Sequence, residues 1–283
     1  MTHAPRDASG PVVLIGGATS THGEALGAFV SLAHARDGAR VVVLTTASGD
    51  PAASADQWRR ELTAAGCTEV DTPIITARGH ALDPRNAAAV ASADAIFLGG
   101  GDQVKLISVI GGTPVGAAIH AAHRRGIVVG GTSAGAAALA RTTLAGNEVD
   151  SAGELIEQYI GPGLGLVAHP TIIDTHFSER RRLYRLFVAL AEFPALLGLG
   201  IDEDTAMVIE GEEARVVGAG GVTFVDARGV RFSNAGARRD GEPLTLSAVR
   251  VGVVGSGFCF DLAARELVVP TSASTPRGAR REE

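Results

Sequence analysis

The chain has 283 residues, of which 46% are hydrophobic and 20% are charged, which allows one large α/β domain or two small ones around a sizeable core. Its formal net charge of −6 argues against general nucleic-acid binding. No apolar run reaches the length of a membrane span, and residues 1–10 contain no apolar core of signal-peptide length. We therefore expect a cytoplasmic protein whose partners include neither nucleic acid nor membrane.

The first half of the chain alternates short apolar runs with helical patterns. Strands are predicted at 11–15, 40–44, 94–98 and 127–130, with a further candidate at 69–76. Helices are predicted at 24–34, 54–65, 82–92 and 114–125. This alternation, with strands that are apolar almost throughout, is typical of an α/β fold in which helices cover both faces of a mostly parallel sheet.

Three of the predicted strands end in glycine-rich segments, at residues 16–18, 99–103 and 130–135. In open parallel sheets, functional sites form at the carboxyl ends of the strands. We therefore expect these three segments to converge.

After residue 140 the alternation loosens, and residues 147–159 fit neither pattern clearly. Strands are predicted at 171–173, 196–201 and 206–209, and a helix at 179–191. Short strands and turns from 214 to 269 predict an antiparallel β region. The polar ends suggest a disordered tail at 1–10 and a flexible tail at 271–283, which flank one domain at 11–270 that is rich in β structure from about 205.

The strongest motif lies in residues 127–140, where Gly131-Thr-Ser-Ala-Gly135 fits the pattern G-x-S-x-G. This pattern carries meaning only between a strand and a helix, and the flanking sequence predicts both. Small residues beside Ser133 let the backbone bend sharply. The backbone N–H of Ala134 would then lie at a helix N-terminus, where negative charge is stabilised. The alternative interpretation is a glycine- and alanine-rich connection between two buried elements.

A serine nucleophile needs a base, and the base needs an acid that orients it. Among the histidines, His176 is favoured because it follows the end of a predicted strand. His22 and His80 lie in predicted loops and stay open as alternatives. The residues alone do not choose among the candidate acids, and a solvated acidic turn is the alternative explanation for the last three. These candidates are Asp174, Asp202, Glu203 and Asp204.

Cys67 and Cys259 are the only cysteines. Their wide separation provides neither a disulfide framework nor a metal-binding spacing. We expect two free thiols in a reducing compartment.

Five segments together resemble the cyanophycinase group of serine peptidases, relatives of the aspartyl dipeptidases. They are Phe97–Gln103, Gly131–Ala136, Asp174–Phe177, the arginines at 180, 182 and 185, and Gly200–Ala206. The resemblance extends from about residue 11 to residue 210 in the same order. It implies a class I glutamine-amidotransferase-like α/β fold and a reaction that requires neither a metal nor an organic cofactor.

The same resemblance implies a role for each matching residue. Ser133 would be the nucleophile, His176 the general base and Glu203 the orienting acid. The backbone N–H groups of Gly101 and Ala134 would form the oxyanion hole. The positions that line the substrate pocket would be Gln103, Asp174, Thr175, Arg180, Arg182 and Arg185.

Two features depart from the family or complicate its assignment. Thr175 stands where the family commonly has glutamine, which replaces an amide by one short hydroxyl and bears on substrate identity. On a helix that starts at 179, Arg180 and Arg182 would flank the buried stripe. Arg185 would point nearly opposite it and reach the pocket only if the helix lay along the pocket or a subunit boundary covered that face.

Taken together, the resemblance implies a serine-type exopeptidase or isopeptidase. Its substrate would be cyanophycin, a poly-aspartate backbone that carries arginine on its side chains, and its products would be β-aspartyl-arginine dipeptides. Pocket arginines would pair with substrate carboxylates, and Asp174 would attract a cationic group. An α- or β-aspartyl dipeptidase of the same fold and a non-catalytic binding protein are the alternatives, and a homodimer is one conceivable assembly.

Overall fold

The computed structural model describes residues 9–149, 155–239 and 242–269. The predicted flexible tail at 271–283 and most of the predicted disordered tail at 1–10 lie outside these residues. Gly10 is buried, and its N–H donates to the carbonyl oxygen of His123 at 2.7 Å. The predicted disorder is therefore wrong at Gly10, because a backbone hydrogen bond fixes this residue to the body of the protein.

The first half of the chain alternates strands and helices, as the apolar periodicity predicts. The elements are β1 (Val12–Ile15), α1 (Glu24–Leu32), β2 (Arg40–Leu44), α2 (Pro51–Ala64), β3 (Glu69–Asp71), α3 (Arg78–Leu82), α4 (Pro84–Ala91), β4 (Ala95–Leu98), α5 (Gln103–Ile110), α6 (Pro114–Arg124), β5 (Val128–Thr132) and α7 (Ala134–Leu139).

The second half consists mostly of strands. The elements are β6 (Thr142–Val149), β7 (Leu155–Pro162), β8 (Thr171–Thr175), α8 (Leu183–Glu192), β9 (Leu197–Ile201), β10 (Thr205–Glu210), β11 (Glu213–Gly218), β12 (Gly221–Asp226), β13 (Phe232–Ser233), β14 (Leu246–Ser247), β15 (Arg250–Gly255), β16 (Cys259–Asp261) and β17 (Glu266–Val268). Strands β13 and β14 form a small separate ribbon.

Nine strands form the first sheet, in the order β17-β16-β11-β10-β1-β5-β4-β2-β3. The block from β1 to β3 in this order is parallel, whereas β10, β11, β16 and β17 add on in antiparallel fashion. Leu14 of β1 lies opposite both Gly131 of β5 and Met207 of β10. The predicted parallel sheet is therefore confirmed for the block that carries Ser133.

Six strands form a second sheet, in the order β15-β12-β9-β8-β6-β7. The sequence did not predict this sheet, because part of the β6–β7 hairpin lies in the polar segment 147–159. Strand β9 belongs to the second sheet and β10 to the first, so residues 202–204 cross from one sheet to the other. The strands of the predicted C-terminal antiparallel region are present, and they extend both sheets.

Both faces of the first sheet are covered, which explains why its strands are apolar throughout. On one face, Val13 and Phe97 pack in a cluster with residues of α1 and α2. On the other face, Leu14 and Leu98 pack with residues of α5, α6 and α7 and with Leu199 of the second sheet. Helix α8 covers the far face of the second sheet. Burying each large apolar side chain contributes about 1.5–3 kcal/mol.

The helix boundaries differ from the prediction at two places before the serine. Pro84 disfavours helical backbone at Asp83, so the helix predicted at 82–92 begins at Pro84 as α4, and Leu82 ends a separate short helix, α3. Helix α5 was not predicted. It begins where the carboxylate of Asp102 accepts the N–H groups of Val104 and Lys105 at 2.8 and 3.1 Å, so the glycine-rich segment after β4 leads directly into a helix.

Helix α8 begins at Leu183 rather than at residue 179. Arg181 has a φ of +52°, a left-handed conformation that a right-handed helix cannot contain. The predicted helical positions of Arg180 and Arg182 are therefore wrong, and both residues lie on the turns that connect β8 to α8.

Two expectations from the composition can be compared with the structure. Cys67 is buried and Cys259 is half-buried, and both are free thiols as predicted. Among the described residues, no single helix combines the length and apolarity needed to span a membrane, although α5 and α6, which meet at a bend of 96°, meet that standard when taken together.

Candidate active site

Ser133 occupies the turn between the end of β5 at Thr132 and the start of α7 at Ala134. Its φ of 52° and ψ of −119° are sparsely populated for a residue with a side chain and cost about 1–3 kcal/mol. The surrounding backbone fixes this conformation, because the N–H of Ser133 donates to the oxygen of Ile15 at 2.9 Å and its carbonyl accepts the N–H of Ala137 at 3.0 Å. The strand, tight turn and helix that G-x-S-x-G requires are all present.

His176 follows β8 and lies between Ser133 and Glu203. Its Nε2 is 2.9 Å from the Oγ of Ser133, and its Nδ1 is 2.6 Å from the Oε1 of Glu203. The side chain of His176 is 11% exposed. With Nδ1–H donating to the carboxylate, Nε2 is left to accept the serine proton, which is the tautomer that a general base requires.

The two glycine-rich strand ends beside the serine also converge on this group. A Cβ atom placed on Gly17 would lie 2.2 Å from the Cε1 of His176, and one placed on Gly100 would lie 3.3 Å from the Cβ of Ser133. The adjacency of β1, β5 and β4 in the first sheet brings these segments together. The predicted convergence is thus present in the structure.

Of the four candidate acids, Glu203 is the one whose carboxylate contacts the imidazole. The carboxylate of Asp202 instead accepts the N–H groups of Ser178 at 3.0 Å and Gly221 at 3.1 Å. That of Asp204 accepts the N–H of Ser20 at 2.9 Å. The three consecutive carboxylates are therefore not a merely solvated turn, because each one binds a different part of the site. Sequence reasoning missed the contacts of Asp202 and Asp204, although the unusual run of three acids was a signal that they were needed.

Two backbone groups, those of Gly101 and Ala134, are predicted to form the oxyanion hole. Gly101 has a φ of +137°, and a Cβ at this position would lie 2.1 Å from the carbonyl oxygen of Ala47, so only glycine fits there. Ala134 is the first residue of α7, and the first N–H groups of a helix have no partner within it. Ala134 directly follows Ser133, and Gly101 directly follows Gly100, which packs against Ser133.

Asp174 is 1% exposed and binds two arginines. Its Oδ1 accepts from Arg182 at 3.1 Å, and its Oδ2 accepts from the Nε of Arg185 at 2.9 Å. Arg182 also donates to the carbonyl oxygen of Thr175 at 2.6 Å. The carboxylate thus contacts arginines of its own chain, which differs from the expectation that it attracts a cation of the substrate.

The position expected for Arg185 also needs correction. Its side chain is 22% exposed, whereas the helix predicted from residue 179 placed it on the face opposite the buried stripe. The buried face of α8 is formed by Leu186, Val188, Ala189 and Leu190, whereas Leu183 is 37% exposed. Arg185 lies one turn before Val188 and Ala189, beside that face, and so reaches Asp174. Arg182 and Arg185 therefore meet at Asp174, which lies in β8 two residues before His176.

The three predicted pocket arginines form one cluster. Burial lowers the pKa of Arg182, Asp174 opposes this shift, and the nearby charges of Arg185 and Arg180 add to it. Arg180 is exposed, and its N–H donates to the carbonyl oxygen of His176 at 3.0 Å. With three cations and one carboxylate, the cluster carries a net positive charge next to the serine and histidine.

The other two predicted pocket residues are largely enclosed. The amide of Gln103 donates to the carbonyl oxygen of Leu144 at 2.6 Å, which fastens the start of α5 to β6. Thr175 is 4% exposed at the end of β8.

Among the described residues, no group of three or more histidine, cysteine, aspartate or glutamate side chains is arranged to hold a metal ion.

An α/β fold with a strained serine between a strand and a helix, hydrogen-bonded in series to histidine and glutamate, defines a hydrolase of the serine type. The family model for peptidase family S51 matches residues 12–217. The chain belongs to this family and is a serine peptidase.

Curated relatives agree with this assignment, and a solved structure shares the fold. The chain is 32% identical over 270 residues to a protein named cyanophycinase from Synechococcus elongatus, covering 94% of this chain and 83% of that one. It is 33% identical over 250 residues to the cyanophycinase of Geminocystis herdmanii, covering 87% and 91%. The crystal structure of a peptidase from an acI-B1 actinobacterium has the same fold, with a TM-score of 0.65 at 20% identity over 89% of this chain and 97% of that chain.

Proposed function

We propose that this peptidase is a serine-type exopeptidase or isopeptidase that hydrolyses cyanophycin and releases β-aspartyl-arginine dipeptides. The observation that carries the proposal is the series Ser133–His176–Glu203, with contacts of 2.9 and 2.6 Å. It occurs in a chain that is similar along most of its length to proteins named cyanophycinase.

Acylation follows from the geometry of these three side chains. The Oγ of Ser133 attacks the substrate carbonyl while the Nε2 of His176 accepts the hydroxyl proton, and the C–N bond then breaks as the same proton passes to the leaving nitrogen. Glu203 accepts the Nδ1–H throughout, so it keeps the imidazole in its working tautomer and stabilises the imidazolium. The N–H groups of Gly101 and Ala134 would donate to the oxyanion, and one such donor contributes about 3–4 kcal/mol to the transition state.

Deacylation uses the same groups with water in place of the leaving amine. His176 accepts a proton from water, the resulting hydroxide equivalent attacks the ester on Ser133, and the proton returns to the serine oxygen. The products are a free carboxylate and a regenerated hydroxyl. The enzyme therefore needs one base that acts twice and a path for water to the ester.

The cluster of arginines around Asp174 supports a substrate rich in carboxylates. Arg180 is exposed, and Arg182 and Arg185 together exceed the single negative charge of Asp174. Guanidinium groups bind carboxylates through two parallel hydrogen bonds where the geometry allows. The aspartate units of cyanophycin would supply such carboxylates.

A second candidate function is hydrolysis of short aspartyl dipeptides. The pairing of Asp174 with Arg182 and Arg185 favours it, because the residue expected to bind the arginine side chain of cyanophycin is already occupied. Recognition of aspartate alone would then suffice. A site with Thr175 in place of glutamine also provides less hydrogen bonding to a long polar side chain.

Steady-state kinetics on matched substrates separates the two. We would measure kcat/KM for cyanophycin, for matched aspartyl peptides whose side chains carry β-linked arginine or β-linked lysine, and for α- and β-linked aspartyl dipeptides, with Ser133→Ala as the blank. The proposal predicts that the polymer and the peptide with β-linked arginine are cleaved best, at the backbone bond, with β-aspartyl-arginine released intact. Cleavage of dipeptides without cleavage of the polymer would favour the second candidate, and no cleavage of any aspartyl bond would contradict both. The cytoplasmic location and the homodimer stay predictions from the sequence and the family resemblance.

A further inference from the structure

Asp204 directly follows Glu203 and binds the segment that leaves β1. Its N–H donates to the carbonyl oxygen of Gly17 at 2.9 Å. Its Oδ1 accepts the N–H of Ser20 at 2.9 Å. Backbone and side chain of one residue therefore hold both ends of residues 17–20.

This segment lies against the catalytic imidazole. A Cβ on Gly17 would be 2.2 Å from the Cε1 and 2.4 Å from the Nε2 of His176, so the backbone of Gly17 itself touches that edge of the ring. The neighbouring carbonyl of Gly16 accepts the N–H of His176 at 2.8 Å. Movement of residues 16–20 would free the ring on the side from which it reaches Ser133.

The conformation of Asp204 indicates that its position is maintained at some cost. Its φ is +46°, in a left-handed region that residues with side chains seldom occupy, although aspartate and asparagine tolerate it better than most. Its carbonyl oxygen accepts the N–H of Ala219 at 3.0 Å, which fixes the turn from behind. The turn that presents Glu203 to the imidazole and the segment that supports the ring are thus joined through one residue.

We propose that Asp204 is a positioning residue whose carboxylate oxygen holds residues 17–20 against the imidazole of His176, and so keeps Nε2 directed at Ser133. The inference rests on the proposed function of Ser133, His176 and Glu203. What the role requires is a hydrogen-bond acceptor for the N–H of Ser20, and a negative charge is not needed. Asparagine at this position would therefore preserve it, whereas glycine would not.

Two variants and two measurements test this. Asp204→Asn keeps the acceptor oxygen. Asp204→Gly removes it while glycine tolerates the positive φ without strain. The first readout is the rate at which a fluorophosphonate labels Ser133, where the serine oxygen displaces fluoride from phosphorus and His176 accepts the proton. The second is the proton resonance of the His176 Nδ1–H in protein labelled with 15N-histidine.

We expect Asp204→Gly to slow labelling by about 10- to 100-fold, as small displacements of a reacting group do, and to broaden or abolish the Nδ1–H resonance. Asp204→Asn should label within about threefold of the wild-type rate and keep the resonance. Asp94→Gly is the matched control, because Asp94 accepts the N–H of Arg40 at 2.9 Å at the amino ends of β2 and β4, away from Ser133. It should leave both readouts unchanged.

The proposal is overturned if Asp204→Gly labels at the wild-type rate with an unchanged resonance. It is also overturned if Asp204→Asn loses as much as Asp204→Gly, because the charge would then matter and not the acceptor. Asp204→Ser, whose hydroxyl is too short to reach Ser20, takes the place of the glycine variant if that variant does not fold. If wild-type Ser133 is not labelled at all, the proposed function fails, and the resonance still decides whether Asp204 positions the ring.

Discussion

The backbone of Gly17 lies directly against the imidazole ring of His176, with room for no side chain between them. Gly17 also has a φ of +104°, which other residues rarely adopt. We expect Gly17→Ala to lower kcat/KM by about 100-fold or more, since a methyl group would push the ring away from Ser133. Gly27→Ala is the control, because a Cβ on Gly27, within α1, meets no atom within 4 Å. Gly27→Ala should retain activity and stabilise the helix by about 0.5–1 kcal/mol. Full activity in Gly17→Ala would show that the contact between Gly17 and His176 does not position the imidazole.

Glu203 and its neighbours offer a comparison of three carboxylates in a row. Glu203→Gln should lower kcat by about 10⁴-fold, because an amide that donates to Nδ1 selects the wrong tautomer of His176. Asp204→Asn should cost far less, since its amide oxygen can still accept the N–H of Ser20. Asp202→Asn should cost an intermediate amount, since its two oxygens accept two N–H groups and asparagine keeps one acceptor. The measurement is kcat for the three variants at one saturating substrate concentration. Equal losses in all three would mean that Glu203 has no special relation to the imidazole.

Substitution of Asp174 tests whether its carboxylate stabilises the fold or binds substrate. In Asp174→Asn, Arg182 and Arg185 lose the negative charge that they share, and both are largely buried, at 19% and 22% exposure. We expect the free energy of unfolding in urea to fall by about 2–4 kcal/mol, slightly less than for a fully buried pair. Asp56→Asn is the control, because its pair with Arg59 is exposed and should contribute under about 1 kcal/mol. A rise in KM for cationic substrates at unchanged stability would instead make Asp174 a substrate-binding group.

The lowered pKa of Asp226 leads to a prediction of how the stability of the protein depends on pH. Burial alone would raise its pKa, but hydrogen bonds from Arg228 and Arg265 lower it from an ordinary value of 3.8 to about 2. Because the folded pKa lies below the unfolded one, the stabilisation is present above pH 4 and is lost as the pH falls towards 2. Asp226→Asn should therefore be about 2–3 kcal/mol less stable than wild type at pH 7, and the difference should shrink between pH 4 and pH 2. A difference that stays constant over this range would contradict the assignment.

The sequence located Ser133 and His176 because both follow apolar strands, and strand ends can be recognised from local pattern alone. It could not choose Glu203 over Asp202 and Asp204 without the family resemblance. The directions of these three side chains are set by the crossing of residues 202–204 from the second sheet to the first. That crossing depends on tertiary structure and not on local sequence. The partner of Arg185 was missed because α8 buries Val188 and Ala189, which lie one turn after Arg185, and helical periodicity alone did not indicate this face.

The second sheet was also beyond the sequence pattern. Strands β6 and β7 pair with each other across a polar segment, and β6 is fastened to the start of α5 through Gln103. Neither contact produces a recognisable hydrophobic pattern in the sequence. The buried strands of the first sheet do, because they are apolar runs.

The central claim is that Ser133 is required for the hydrolysis of cyanophycin to β-aspartyl-arginine. The most direct test is digestion of cyanophycin in 18O-water, with the products identified by mass spectrometry. The account predicts β-aspartyl-arginine from the wild-type enzyme with 18O incorporated at the newly formed carboxylate. Ser133→Ala should reduce its release by about a million-fold, and Ser31→Ala, an exposed serine of α1, should not. If the wild-type enzyme released no dipeptide from cyanophycin, or if Ser133→Ala released it at the wild-type rate, the account would be contradicted.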